Sequence, residues 1–199
     1  MKYFLLFVTL SLSLNTQADL LEIDPVSLCT LFNHEDVITT KYEADFYSKE
    51  KICYIPQNRP AFKKNGYVLS YRVLGHFRWT DLTGKVFISI KGDESRMLAD
   101  NMPAKYKRMV FALIDKVTVN TSKKEITQIV KAITTKRSTY QSVEAMSVSS
   151  YISRKEYGGQ VQAEYRIDIS NQCLYHPTEP GRDKCIADRI KESITGVKL

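Results

Sequence analysis

Residues Tyr67 to Gly92, YVLSYRVLGHFRWTDLTGKVFISIKG, decide the fold. The odd positions Tyr67, Leu69, Tyr71, Val73, Phe77 and Trp79 are apolar, whereas the even ones include Ser70, Arg72, His76, Arg78 and Thr80. A period of two is that of a strand with one face buried. Asp81-Leu82-Thr83-Gly84 supplies turn residues, with Gly84 free to adopt φ > 0. Val86, Ile88 and Ile90 then alternate with Lys85, Ser89 and Lys91. Setting Thr80 opposite Lys85 pairs Trp79 with Val86 and Phe77 with Ile88, and places His76 across from Ser89. Apolar residues then meet apolar ones, so this stretch reads as a central β-hairpin.

A second hairpin follows the same logic. Val161, Ala163, Tyr165, Ile167 and Ile169 alternate with Gln162, Glu164, Arg166 and Asp168, after a Gly158-Gly159 turn and a looser alternation over Met146 to Glu156. Pairing Tyr157 with Gln160 sets Ile152 against Tyr165 and Val148 against Ile169. Between the hairpins the period lengthens. Tyr106, Met109, Val110, Leu113 and Ile114 predict a helix from Ala104 to Lys116. Ser122 with Glu125 forms a capping box ahead of Ile126, Ile129, Val130 and Ile133, a second helix. Asp93-Glu94-Ser95 offers a helix start, and Thr134 to Thr139 reads as a polar connection. Upstream, Asp24-Pro25 opens a short helix through Leu28, Leu31 and Phe32. Tyr42 to Tyr47 and Lys51 to Ile55 read as strands, and Ile186 to Ile194 as a short terminal helix. The order predicts an α+β fold: an antiparallel sheet built from two hairpins, with helices packed on one face.

The first residues carry a different message. Met1-Lys2 is a short positive region, Tyr3 to Leu14 is apolar, and Thr16-Gln17-Ala18 ends in a small residue. That is the layout of a secretory signal peptide over residues 1–18, with a single domain over 19–199 and no transmembrane segment in the mature chain. Export to a periplasm or the extracellular space makes disulfides the expected state of Cys29, Cys53, Cys173 and Cys185. Local pairing, Cys29–Cys53 and Cys173–Cys185, is favoured over bridges between the two ends of the chain. Each bridge would contribute about 3 kcal/mol by constraining the unfolded chain.

The chain has 199 residues and a formal net charge of +7, with its cations scattered rather than run together. Such a charge serves solubility or attracts acidic partners, polyanions or anionic membranes. No Walker loop, GxSxG elbow or HExxH is present, and no cysteine or histidine spacing calls for zinc, so neither cofactor nor metal is expected. Of the histidines, His34 reads as a solvated helix end and His176 as a loop residue. His76 shares the polar face of the central hairpin with Arg72 and Arg78, and Lys85 and Lys91 face the same way on the neighbouring strand. These five residues are the expected ligand-binding set. His76 is also the one candidate catalytic group, and it would need a carboxylate such as Glu164 or Asp168, which requires the two hairpins to adjoin. Tyr151 and Tyr157 fall on the polar face of their hairpin as candidate contact residues. Three functions follow: an exported non-enzymatic binding protein of inhibitor, immunity or adaptor type; a small nuclease-like hydrolase acting on nucleic acid; or a binder of anionic membrane or polysaccharide surfaces. The first is favoured, because the chain holds no catalytic motif.

Overall fold

Alternation along the strands and helical spacing between them build the α+β architecture seen in the computed structural model. The structure describes residues 20, 23–46, 50–56, 66–76, 81–94, 102–135, 138–144, 146–157, 160–171, 173, 180–181, 183–185 and 187–188. Its strands are β1 (Glu43–Ala44), β2 (Lys51–Tyr54), β3 (Val68–Gly75), β4 (Thr83–Asp93), β5 (Ser138–Val143), β6 (Met146–Tyr157) and β7 (Gln160–Asn171). Its α-helices include α1 (Pro25–Cys29), α2 (Ala104–Val117) and α3 (Lys123–Thr135), with a 3-10 turn at Asn33–Glu35; described residues 94, 180–181, 183–185 and 187–188 are helical as well. The strands form one antiparallel seven-stranded sheet in the order β1-β2-β3-β4-β7-β6-β5. Two runs of consecutive strands thus meet at a single seam between β4 and β7.

Three rows of side chains cross that seam on one face. They are Leu69, Ile90, Tyr165 and Ile152; Tyr71, Ile88, Ile167 and Ser150; and Val73, Val86, Ile169 and Val148. Their apolar members join a cluster with Leu28 and Phe32, with Tyr106, Met109, Val110, Leu113 and Ile114 of α2, and with Ile126 and Ile133 of α3. Tyr106 is pinned at the seam: its hydroxyl donates to the Ile88 carbonyl at 3.3 Å and lies 3.5 Å from the Tyr165 carbonyl. The Tyr71 hydroxyl donates to the Leu28 carbonyl at 3.0 Å and fixes the N-terminal segment to the sheet. Burial pushes both phenols well above their ordinary pKa, so both remain neutral donors.

The helix ends carry the chemistry their sequences offer. The Asp24 carboxylate accepts from the Val26 and Ser27 amides at 3.1 Å each. Ser122 and Glu125 form the reciprocal box: the Glu125 amide donates to Ser122 Oγ at 3.3 Å and the Ser122 amide to Glu125 Oε2 at 2.8 Å. The bridges are Cys29–Cys53 and Cys173–Cys185, with Cα–Cα distances of 6.0 and 5.5 Å. No helix among the described residues is long and apolar enough to cross a membrane.

The structure corrects several expectations. Val73, not Trp79, faces Val86, and Tyr71, not Phe77, faces Ile88. Both registers set apolar on apolar and differ by an even number of residues, so periodicity could not separate them. A bulge between Leu74 and Gly75 then shifts the pairing, leaving Gly75 opposite Thr83. Thr83 and Gly84 therefore belong to β4 rather than to a turn. Gly84 is needed for close approach: a Cβ there would lie 3.0 Å from both the Gly75 carbonyl oxygen and His76 Cα. β4 runs on to Asp93 and Glu94 follows it as a helical residue, in keeping with the expected helix start, and among the described residues 42–46 only Glu43 and Ala44 form strand. The polar connection after α3 proves to include β5, whose Ser, Thr, Tyr and Gln carry no apolar alternation. Glu144, at φ 53°, turns β5 into β6, and its carboxylate accepts from the Asn120 amide at 3.0 Å and Thr121 Oγ1 at 2.7 Å. The second hairpin has the expected register, with Tyr157 opposite Gln160, Ile152 opposite Tyr165 and Val148 opposite Ile169. The leader, Phe77 to Thr80, Gly158-Gly159, His176 and most of Ile186 to Ile194 lie outside the described residues.

Candidate functional site

Residues one position out of phase with the core rows form the opposite, polar face of the sheet. Its rows are Arg72, Phe87, Asp168 and Ser149; Ser70, Ser89, Arg166 and Tyr151; and Leu74, Lys85, Ser170 and Ser147. At its centre lies the Phe87 ring. The Arg166 guanidinium carbon stands 4.1 Å from that ring's centroid and 5.6 Å from the centroid of Tyr151. Lys85 Nζ and the Arg72 guanidinium carbon approach the same Phe87 centroid to 5.7 and 5.9 Å. Three cations thus gather around one aromatic ring, each contact worth about 0.5–1 kcal/mol where exposed.

Asp168 is the counter-charge that makes this arrangement tolerable. It is only 6% exposed, and a buried carboxylate is costly unless paired and hydrogen-bonded. Arg166 supplies Nε to Oδ1 at 2.6 Å and a terminal nitrogen to Oδ2 at 3.3 Å, and Lys85 Nζ reaches Oδ2 at 2.9 Å. The fork holds the Arg166 plane against Phe87, so the stacked guanidinium is pre-set. One row away, Ser89 Oγ donates to Glu164 Oε1 at 2.7 Å. Burial raises the Tyr151 pKa; Asp168 and Glu164 raise it further while Arg166 opposes them, so the phenol is neutral near pH 7.

Of the five residues expected to bind, Arg72, Lys85 and Lys91 occupy this face, with Arg72 and Lys85 beside Phe87 and Lys91 paired with Val68 and Glu164. His76 does not join them. The bulge at Leu74/Gly75 ends the simple alternation, and His76 is 1% exposed, its amide donating to the Leu82 carbonyl at 2.8 Å. Ser70, not His76, stands across from Ser89. Arg78 lies outside the described residues. The hairpins do adjoin through β4 and β7, which brings Asp168 onto the face, but Lys85 and Arg166 engage its oxygens. Phe87 and Arg166 were not singled out from sequence. The available signal was Phe87 itself, a large aromatic in the polar row Lys85, Ser89 and Lys91 of its own strand.

Beyond Arg72 the face deepens into a cavity of about 800 Å³, lined by Ile52, Tyr54, Pro56, Val68, Ser70 and Arg72 among others. It opens where β2 ends at Tyr54 while β3 begins at Val68, so the outer row of β3 forms one wall. His34 is exposed on the 3-10 turn, as expected of a solvated end. No group of three His, Cys, Asp or Glu side chains among the described residues could hold a metal ion. No protein-family model matches the chain, and no curated protein or solved structure matches it either.

Proposed function

We propose that the protein is an exported binding protein of inhibitor, immunity or adaptor type, and that the polar face of its sheet takes up an acidic partner surface. In this reading residues 1–18 direct export, the two bridges hold the chain in an oxidising compartment, and the helices back the sheet from the core side. The observation that carries the reading is the Arg166 guanidinium stacked between Phe87 and Tyr151, with Arg72 and Lys85 around the same ring. Arginine and tyrosine held in fixed positions are the side chains that dominate protein interfaces, because little entropy remains to be lost on binding. The hydrolase reading loses support, since His76 is buried away from solvent and Asp168 is committed to two cations.

The test compares immobilised wild-type protein with the Arg72→Ala/Arg166→Ala variant in capture from the native envelope or medium. The variant should bind the retained partner at least about tenfold more weakly, and the difference should shrink as salt screens the exposed charges. Equal retention by both proteins at low salt would reduce the face to a solvated surface.

A further inference from the structure

We propose that the cavity beside Arg72 is a binding site for a small organic carboxylate with an apolar body. This goes beyond the partner-binding reading and shares only Arg72 with it. The cavity, at about 800 Å³, falls within the range of roughly 300–1,000 Å³ typical of small-molecule sites. Its wall is graded in polarity. Along β3 the outward residues run Val68, Ser70, Arg72, from aliphatic through hydroxyl to guanidinium, while Ile52, Tyr54 and Pro56 add apolar surface from the β2 side. Successive outward residues on a strand stand about 6.5–7 Å apart, so the gradient runs over roughly 13 Å, the length of a short chain or a ring with a short linker.

Arg72 supplies the reason for a negative head group. Among the described residues the ion-paired carboxylates Glu35, Asp81, Glu94 and Asp168 answer Lys105, Arg108, Lys51, Arg154, Lys85 and Arg166, and none of these carboxylates pairs with Arg72. Its guanidinium is exposed, rests 5.9 Å from the Phe87 centroid and borders the cavity. A planar fork in that position fits a carboxylate through two parallel hydrogen bonds. The apolar body would lie toward Val68 and Tyr54, gaining from the area it removes from water.

The probes are octanoate and phenylbutyrate, each compared with its primary amide, titrated into the disulfide-bonded protein and followed by heteronuclear NMR. At least one carboxylate should shift the backbone signals of Tyr54, Val68, Ser70 and Arg72 saturably, and its amide should bind at least about tenfold more weakly, the loss expected for a charge-assisted pair. Arg72→Gln should weaken the carboxylate by a similar factor, and Lys124→Gln, an exposed cation on α3 away from the cavity, should leave it unchanged. The proposal is overturned if neither carboxylate binds, if the shifts map to another surface, if acid and amide bind alike, or if Arg72→Gln has no effect. Should Arg72→Gln fail to fold, the mapping and the acid–amide comparison on wild-type protein still decide. Failure of the partner-binding reading would show separately, as partner retention unaffected by Arg166.

Discussion

Tyr71 and Arg72 are neighbours in sequence, yet their rows across the sheet have opposite characters. Tyr71 lies in line with Ile88 and Ile167, all buried against the helices; the exposed Arg72 lies in line with Phe87 and the buried, ion-paired Asp168. The same three strands carry both rows. The core row supplies apolar burial, which is non-directional and large, whereas the polar row depends on charges that nearly offset their own desolvation. Stability is therefore expected to reside on one face and recognition on the other, and substitutions on matched positions separate the two.

Ile88→Ala should produce the largest loss, about 2–5 kcal/mol in urea unfolding, because a fully buried side chain leaves a cavity at the seam. A loss below about 1 kcal/mol would mean that the core row is not where stability resides. Asp168→Asn should cost less, about 1–3 kcal/mol, since Lys85 and Arg166 lose a charged acceptor but can turn toward water. A cost equal to that of Ile88→Ala would break the comparison by making the polar row structural. Away from both rows, Ser122→Ala should remove the cap of α3 at about 1 kcal/mol, read by thermal unfolding. Glu125 adds a pH signature there. Its hydrogen bonds to the Ser122 side chain and amide lower its pKa below the ordinary 4.5, so its contribution is present above that value and is lost as pH falls through the lowered one. The wild type should therefore show a small acid-side loss that Ser122→Ala reduces. Arg72→Ala should change stability least, within about 0.5 kcal/mol, while altering binding.

Most of the sheet was legible because its strands alternate; β7 and β6 could even be placed in register, since the Gly158-Gly159 dipeptide marked in sequence where to pair Tyr157 with Gln160. The register of β3 on β4 was not, because an even slip preserves every apolar contact and only the bulge at Leu74/Gly75 breaks the tie. β5 was missed for the opposite reason, a polar strand with no periodic signal. At the site, parity along single strands correctly placed Arg72, Lys85 and Lys91 together. It failed for His76, beyond the bulge, and it could not bring Arg166 to Phe87, because strand order is not written in any one strand.

That order has a consequence for how the face comes into being. Arg72, Lys85 and Phe87 belong to one run of strands; Tyr151, Arg166 and Asp168 belong to the other. Contacts across the seam join residues such as Ser89 and Glu164, 75 positions apart along the chain. Such long-range closure must meet its loop entropy before any contact rewards it, so high contact order slows this step relative to hairpin formation. A chain arrested with its halves folded but undocked would display two incomplete charge patterns and no stacked guanidinium. If this face binds as proposed, binding competence would report completed folding, and a fragment cut between β4 and β5 should lack it.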